Sequence, residues 1–237
     1  MAGWNLKSGK FNDECKNEDA FWAIINNFLS NKTNKTSSYK YCFFKSILDN
    51  VFNVDDNGCI SYNLIFERFT EIYWNLIVKY KLSQIQANSS FDKSTIEIII
   101  SGILEKYNID DTCSFNALRS DIKNELNKKV LALNCSFYVV GAFYTDTKQS
   151  FYSFDRAKKI LTFKLNVLDY LIKYKNILSK LNYYEWVKFL EKTNDERQLF
   201  LLRKNWNGHQ KEKIYLSIVI FCLIVMARIH VSIVVKN

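Results

Sequence analysis

The sequence predicts a mostly-α fold, a multi-helix bundle with one short β-hairpin near residues 150–163. Proline is absent and only six glycines occur in 237 residues, so helices can run uninterrupted and few tight turns are available. Apolar side chains recur at steps of three and four over several long stretches, most clearly in SYNLIFERFTEIYWNLIVKYKL at 61–82. Hydrophobic residues make up 48% of the chain, enough to build a shared core over those faces.

In the stretch 61–82, Ile65, Phe66, Phe69, Ile72, Tyr73, Leu76, Ile77 and Tyr80 fall on one face of a helix. Its length is about 30 Å at ~1.5 Å per residue. Ser61 can cap the first turn, and Asn57-Gly58 supplies the chain reversal before it. So wide an aromatic stripe must be covered by other helices, which places this element at the centre of the bundle.

Residues 1–16 are polar and expected to be irregular, with Trp4 and Phe11 as anchors. A helix starts near Asn17 and turns Phe21, Trp22, Ile25, Phe28 and Leu29 inward. The polar linker NKTNKTSS at 31–38 leads to a helix over 39–52 with Phe43, Phe44, Ile47, Leu48 and Val51 inward. The loop 53–61, NVDDNGCIS, partly fits a calcium-binding loop, with Asp55, Asn57, Gly58, Ile60 and Ser61 in place, but the twelfth position is Leu64 instead of a bidentate glutamate. It therefore reads as a turn followed by a helix cap.

The run of isoleucines after Ser94 has β-branched character, yet the Ser94 start and the LEKY ending favour a helix over 94–107. Ser114 is expected to cap a helix reaching Leu133, with Arg119, Lys123, Lys128 and Lys129 forming a basic outer face that reads as solvated surface. From Asn134 the texture changes, and the segments 151–154 and 160–163 around the turn Asp155–Lys159 form the hairpin. Helices follow over 166–181, 183–192 and 195–203. The expected organisation is a helical bundle over 1–133, a hairpin-plus-helix unit over 134–203 and an apolar tail over 204–237.

Lys and Arg exceed Asp and Glu by nine and the pI is about 9.1. A polyanion such as nucleic acid is thus a candidate partner, although the basic residues are spread along the chain. Six cysteines, at positions 15, 42, 59, 113, 135 and 222, form no C-x-x-C pair, and no signal peptide is evident. They read as reduced thiols of a cytoplasmic protein. The N-x-S/T triplets at Asn31, Asn34, Asn88 and Asn134 are read as coincidence in an Asn-rich chain.

No catalytic set emerges from the residues. The only histidines are His209 and His230, and no phosphate-cradling glycine loop occurs. The adjacent carboxylates Glu18 and Asp19, Asp55 and Asp56, and Asp110 and Asp111 each sit at a turn or helix start, where capping and the helix dipole account for them. No catalytic, cofactor-binding or metal-ligating residue is assigned.

The run SYKYCFFKSILDNVF at 38–52, followed by ISYNLIFERFTEIYWNLIVKYKLSQ at 60–84, resembles the helical N-terminal region of bacterial HNH endonucleases. NYYEWVKFLEKTN at 182–194 is similar to the stretch preceding their nuclease module. The resemblance covers about residues 17–203. It implies a helical, DNA-engaging region followed by a zinc-binding C-x-x-C pair and a histidine-rich site that cuts nucleic acid with a divalent metal. After Arg203 this chain carries neither, so none of the family's catalytic residues, zinc or divalent metal transfers to it.

In their place stands KNWNGHQKEKIYLSIVIFCLIVMARIHVSIVVKN. Residues 214–235 are a candidate C-terminal membrane anchor, although Arg228 interrupts the run and its clean part is shorter than the ~20 residues a span needs. A buried strand or helix is another reading. A third is a frameshift at Lys204-Asn205. In the neighbouring frame, one permitted codon choice yields a polar, basic helix ending in D-T-C-F-Y-C-G-K, which supplies the missing zinc pair. The expected function is that of a truncated, inactive HNH-type region bound to DNA. The alternatives are a tail-anchored membrane protein and a helical protein-interaction module.

Overall fold

Eight of the twelve residues in the helix α2 (Tyr39–Asn50) are buried, on nearly every side, and the other elements assemble around it. A computed structural model describes residues 6–30, 36–86, 92–132 and 134–194, without side-chain detail for 134–137. The predicted linker residues 31–35, the predicted helix over 195–203 and the tail 204–237 lie outside these. Among the described residues the fold is mostly α, with eight α-helices and a small four-stranded antiparallel sheet that does not close into a barrel.

Helix α1 (Glu18–Leu29) begins where Asn17 Oδ1 accepts the Ala20 amide at 2.9 Å, and Glu18 and Asp19 complement its dipole in the first turn. It buries Phe21, Ile24, Ile25, Phe28 and Leu29. After α2 comes one 3-10 turn, Val51–Asn53. In the following loop Asp55 Oδ1 accepts the amides of Asn57 (3.0 Å) and Cys59 (2.7 Å). The acidic residue of the calcium-like pattern is thus occupied in holding the turn.

Helix α3 (Tyr62–Trp74) is capped by Ser61, as expected, but the helix does not reach Leu82. It passes into a π-helical turn, Asn75–Lys79, and stops where Lys81 takes a positive φ of 54°. The wider turn resets the inward face. Val78 is buried, while Ile77 and Tyr80 are only partly covered, and Trp74 and Thr70 join the core. The hub predicted for 61–82 is therefore shared. Helix α3 lies against α2, which also touches later helices.

The buried Ser38 hydroxyl bonds to the Tyr73 hydroxyl and to Gln84 Oε1, both at 2.7 Å, tying the start of α2 to the segment after α3. Helix α4 (Thr95–Lys106) confirms the helical reading of the isoleucine run, and Ser94 and Glu97 form a capping box. Removing that cap by Ser94→Ala is expected to cost ~1 kcal/mol, read as a lowered urea midpoint at unchanged slope. The predicted cap at Ser114 opens only a 3-10 turn, Phe115–Ala117, because Leu118 is extended. Helix α5 begins later, at Ser120, and runs to Ala132.

The segment after Asn134 that has no helical signature is helix α6 (Asn134–Asp146). The hairpin stands as predicted, formed by the strand Tyr152–Asp155 and the strand Ile160–Phe163. Two strands that the sequence did not announce complete the sheet. In chain order the strands are β1 (Ser8–Gly9), β2 (Cys59–Ser61), β3 (Tyr152–Asp155) and β4 (Ile160–Phe163), arranged β1-β3-β4-β2. Tyr152, Phe154, Leu161 and Phe163 alternate into the core, and the Tyr152 hydroxyl donates to Val140 O of α6 at 2.6 Å. Helices α7 (Leu165–Lys173) and α8 (Lys175–Thr193) follow. Pairing of β2 with β4 and packing of α8 on α2 join segments on either side of position 133, and the described residues cluster as one compact unit.

Candidate nucleic-acid interface

A nucleic-acid surface requires cations that are exposed and not already neutralised by the protein's own carboxylates. The described residues hold 24 Lys and Arg against 21 Asp and Glu, so most of the chain's excess of nine falls outside them. Where the remaining cations stand therefore matters more than their number.

The outer face of α5 is largely neutralised. Arg119 pairs with Asp121 at 2.5 Å, and Lys129 with Glu125 at 3.3 Å. Lys123 donates to Asn116 O at 3.2 Å and lies over the Phe115 ring. Hydrogen bonds from Lys106 and Tyr107 hold the Glu125 carboxyl down to about 2. Lys128 is exposed. The predicted basic face is thus a mixed-charge, solvated surface.

A cleft of about 530 Å³ opens between α2, α3 and the turn before α5, lined by Asp49, Glu67, Arg68, Glu71 and Asn116 among others. Along it runs a chain of ion pairs. Lys45 contacts Asp49, Arg68 Nε donates to Asp49 at 2.8 Å, and Arg68 Nη1 donates to Glu71 at 2.7 Å. Burial pushes the Asp49 carboxyl up, but hydrogen bonds from Lys45 and Arg68 outweigh it and leave the group below its usual range. A carboxylate held ionised in this way is a poor proton donor near neutral pH.

The adjacent carboxylates are placed in turns and first helical turns. Asp110 Oδ1 accepts the Thr112 amide at 2.7 Å and Asp111 pairs with Lys81 at 2.7 Å. Glu18 accepts from Lys173 at 3.0 Å and from the Tyr174 hydroxyl, whose hydrogen bond is the larger cause of its lowered pKa. Among the described residues, no three His, Cys, Asp or Glu side chains gather where they could hold a metal ion. Cys15, Cys42, Cys59 and Cys113 are free thiols, the first two buried. Burial raises the Cys42 thiol well above its ordinary pKa, which makes it a weak nucleophile.

The end of the sheet is different. In the β3–β4 turn, Asp155 Oδ1 accepts the amides of Ala157 (2.9 Å) and Lys158 (3.1 Å), and Lys159 has a φ of 55°. Lys158 and Lys159 are exposed. Pairing of β1 with β3 brings Lys7, also exposed, beside them, with the Arg156 amide donating to Lys7 O at 3.2 Å. The Arg156 guanidinium sits over the Phe154 ring at 5.7 Å, and burial lowers its pKa. Lys7, Lys158 and Lys159 are thus exposed at one end of the sheet, where the Asp155 carboxylate accepts backbone amides, while Arg156 is only partly exposed. The sequence signal was DRAKK between two strands, but Lys7 joins it only through β1.

Among the described residues no helix is long and apolar enough to cross a membrane. The candidate anchor at 214–235, both histidines and Cys222 lie outside those residues. Compared with protein-family models, with curated proteins and with solved structures, the chain matches none.

Proposed function

We propose that this chain is the helical, DNA-engaging region of an HNH-type endonuclease without its catalytic module, a protein that binds nucleic acid and does not cut it. The sequence resemblance of 38–52, 60–84 and 182–194 motivates the family. The observation that carries the binding role is the group of Lys7, Lys158 and Lys159 at the sheet end, where exposed ammonium groups face solvent beside the Asp155 carboxylate, which accepts two backbone amides. Such groups exchange condensed counterions for protein contacts when a duplex approaches.

Fluorescence anisotropy with a labelled DNA duplex tests this. The full chain is expected to bind at low salt, with affinity falling linearly in log salt. Lys7→Glu combined with Lys158→Glu should reduce the magnitude of that slope by ~1.8, at ~0.9 per phosphate contact. Absence of binding at low salt would overturn the reading in favour of a scaffold or partner-binding unit.

A further inference from the structure

Helix α8 is oriented by its inner face. Leu178, Asn182, Trp186, Phe189 and Leu190 are buried, Asn182 Nδ2 donates to Tyr41 O of α2 at 2.9 Å, and the Trp186 ring stacks on Tyr41 at 6.4 Å. That docking leaves Lys180, Tyr184, Lys188 and Lys192 on the outward side, at steps of four. Successive members are ~6 Å apart along the axis and drift ~40° around it, so the four form a shallow spiral ~18 Å long.

Tyr184 is 44% exposed, whereas most aromatic rings among the described residues are core. The Lys188 ammonium lies 5.1 Å from its ring centroid and pairs with Glu185 at 3.1 Å, three residues earlier on the helix. The pair is partly buried on the Glu185 side, but an i,i+3 pair on a helix is weak and its more exposed lysine can exchange it for another anion. Lys180 and Lys192 are exposed at either end of the row. Glu191, in the last turn, is the other carboxylate of α8.

An exposed aromatic face flanked by lysines along a rigid track is the arrangement that binds single-stranded nucleic acid, the ring stacking on a base and the ammonium groups following the phosphates. A duplex keeps its bases stacked inside and offers such a ring nothing. We infer that the outer face of α8 is a binding track for single-stranded polynucleotide, with Tyr184 as the stacking platform and Lys180, Lys188 and Lys192 as phosphate contacts. This deepens the nucleic-acid reading above and rests on it, but it assigns a different surface from the sheet end.

The experiment uses the full chain and fluorescein-labelled oligothymidine, with a duplex of equal length for comparison. Oligothymidine is expected to bind more tightly than duplex. Tyr184→Ala should weaken it at least about fivefold, the lower end of the loss for one stacked base, while Tyr184→Phe keeps it. Lys180→Glu with Lys192→Glu should reduce the magnitude of the salt slope by ~1.4, at ~0.7 per contact for a single strand. Glu185→Gln, which releases Lys188, should tighten binding, an outcome that mere structural damage would not produce. Unchanged thermal melting establishes that the variants fold. If duplex binds through the sheet-end lysines while the α8 variants match the wild type on both probes, the track is refuted and the DNA-engaging reading stands. If the wild type binds neither probe, both fall. Binding to anionic phospholipid vesicles with no affinity for oligothymidine also overturns the track.

Discussion

Phe143→Ala is expected to destabilise the protein by ~3–5 kcal/mol, the range for truncating a large aromatic side chain in a core. The side chain is fully buried where α1, α2, α6 and the approach to β3 converge. Its ring centroid lies 4.8 Å from that of Phe28, 5.6 Å from Phe43, 5.5 Å from Phe44 and 6.4 Å from Phe151. These neighbours sit on α1, on α2 and in the segment before β3, each held by its own packing, so none can move in to fill the space without giving up contacts elsewhere. The cavity therefore persists, and the edge-to-face contacts add ~0.5–1.5 kcal/mol per pair beyond the loss of buried area. Phe52→Ala is the matched control, since that ring is 68% exposed and its loss should stay within ~0.5 kcal/mol. Urea unfolding at constant slope measures both. A loss below ~1 kcal/mol for Phe143→Ala would mean that the cluster repacks.

Gly58→Ala is the second large effect, and it acts through the backbone. Gly58 has a φ of +77° in the turn that leads into β2, and its amide donates to Asp55 O at 2.9 Å. A left-handed conformation costs a non-glycine residue of this kind ~1–3 kcal/mol. A Cβ at this position would also stand 2.7 Å from Phe163 O, a backbone atom that cannot rotate away. The Phe163 amide donates to Gly58 O at 2.8 Å, so relieving the clash breaks the junction of β2 with β4. Gly102→Ala is the comparison, because a Cβ there meets nothing within 4 Å and mid-helix alanine is favoured. Gly58→Ala should lower the thermal midpoint and Gly102→Ala should leave it unchanged or raise it. Equal midpoints for the two variants would show that the turn relaxes freely.

Much of the helical order was legible because its signals are local. Asn17, Ser61 and Ser94 each accept an amide of the first helical turn, and the three- and four-residue spacing marks the buried faces of α1 and α2. The β3–β4 hairpin announced itself through alternation around the DRAKK turn. Helix α6 was not legible, since its Phe, Tyr, Val and Gly residues favour strand or turn when considered alone. Packing against α1, α2, α4 and α5 overrides that preference. Ser114 carried a capping signal, but the extended Leu118 breaks the chain into a 3-10 turn and a later helix.

Strands β1 and β2 are two and three residues long and have no pattern of their own. They are strands because β3 and β4 leave backbone amides and carbonyls to pair on either side, which only the assembled fold supplies. Gly9 is tolerated in β1 for a similar reason, as a Cβ there would meet Tyr144 and Phe154 at 2.5 and 2.6 Å.

The charged surface divides in the same way. Lysines at 180, 188 and 192, the tyrosine at 184 and the DRAKK turn stand in the sequence, and so do the basic residues of α5. Caps, residue spacing and turn residues act over a few positions, so they dictate a mostly-α chain with defined helix starts and a hairpin. That α2 packs at the centre, that Lys7 joins the sheet end and that α8 turns Tyr184 outward emerges only when the elements assemble. Each of those depends on contacts between residues far apart in the chain, and burial and ion pairing are set by such contacts once the elements have packed.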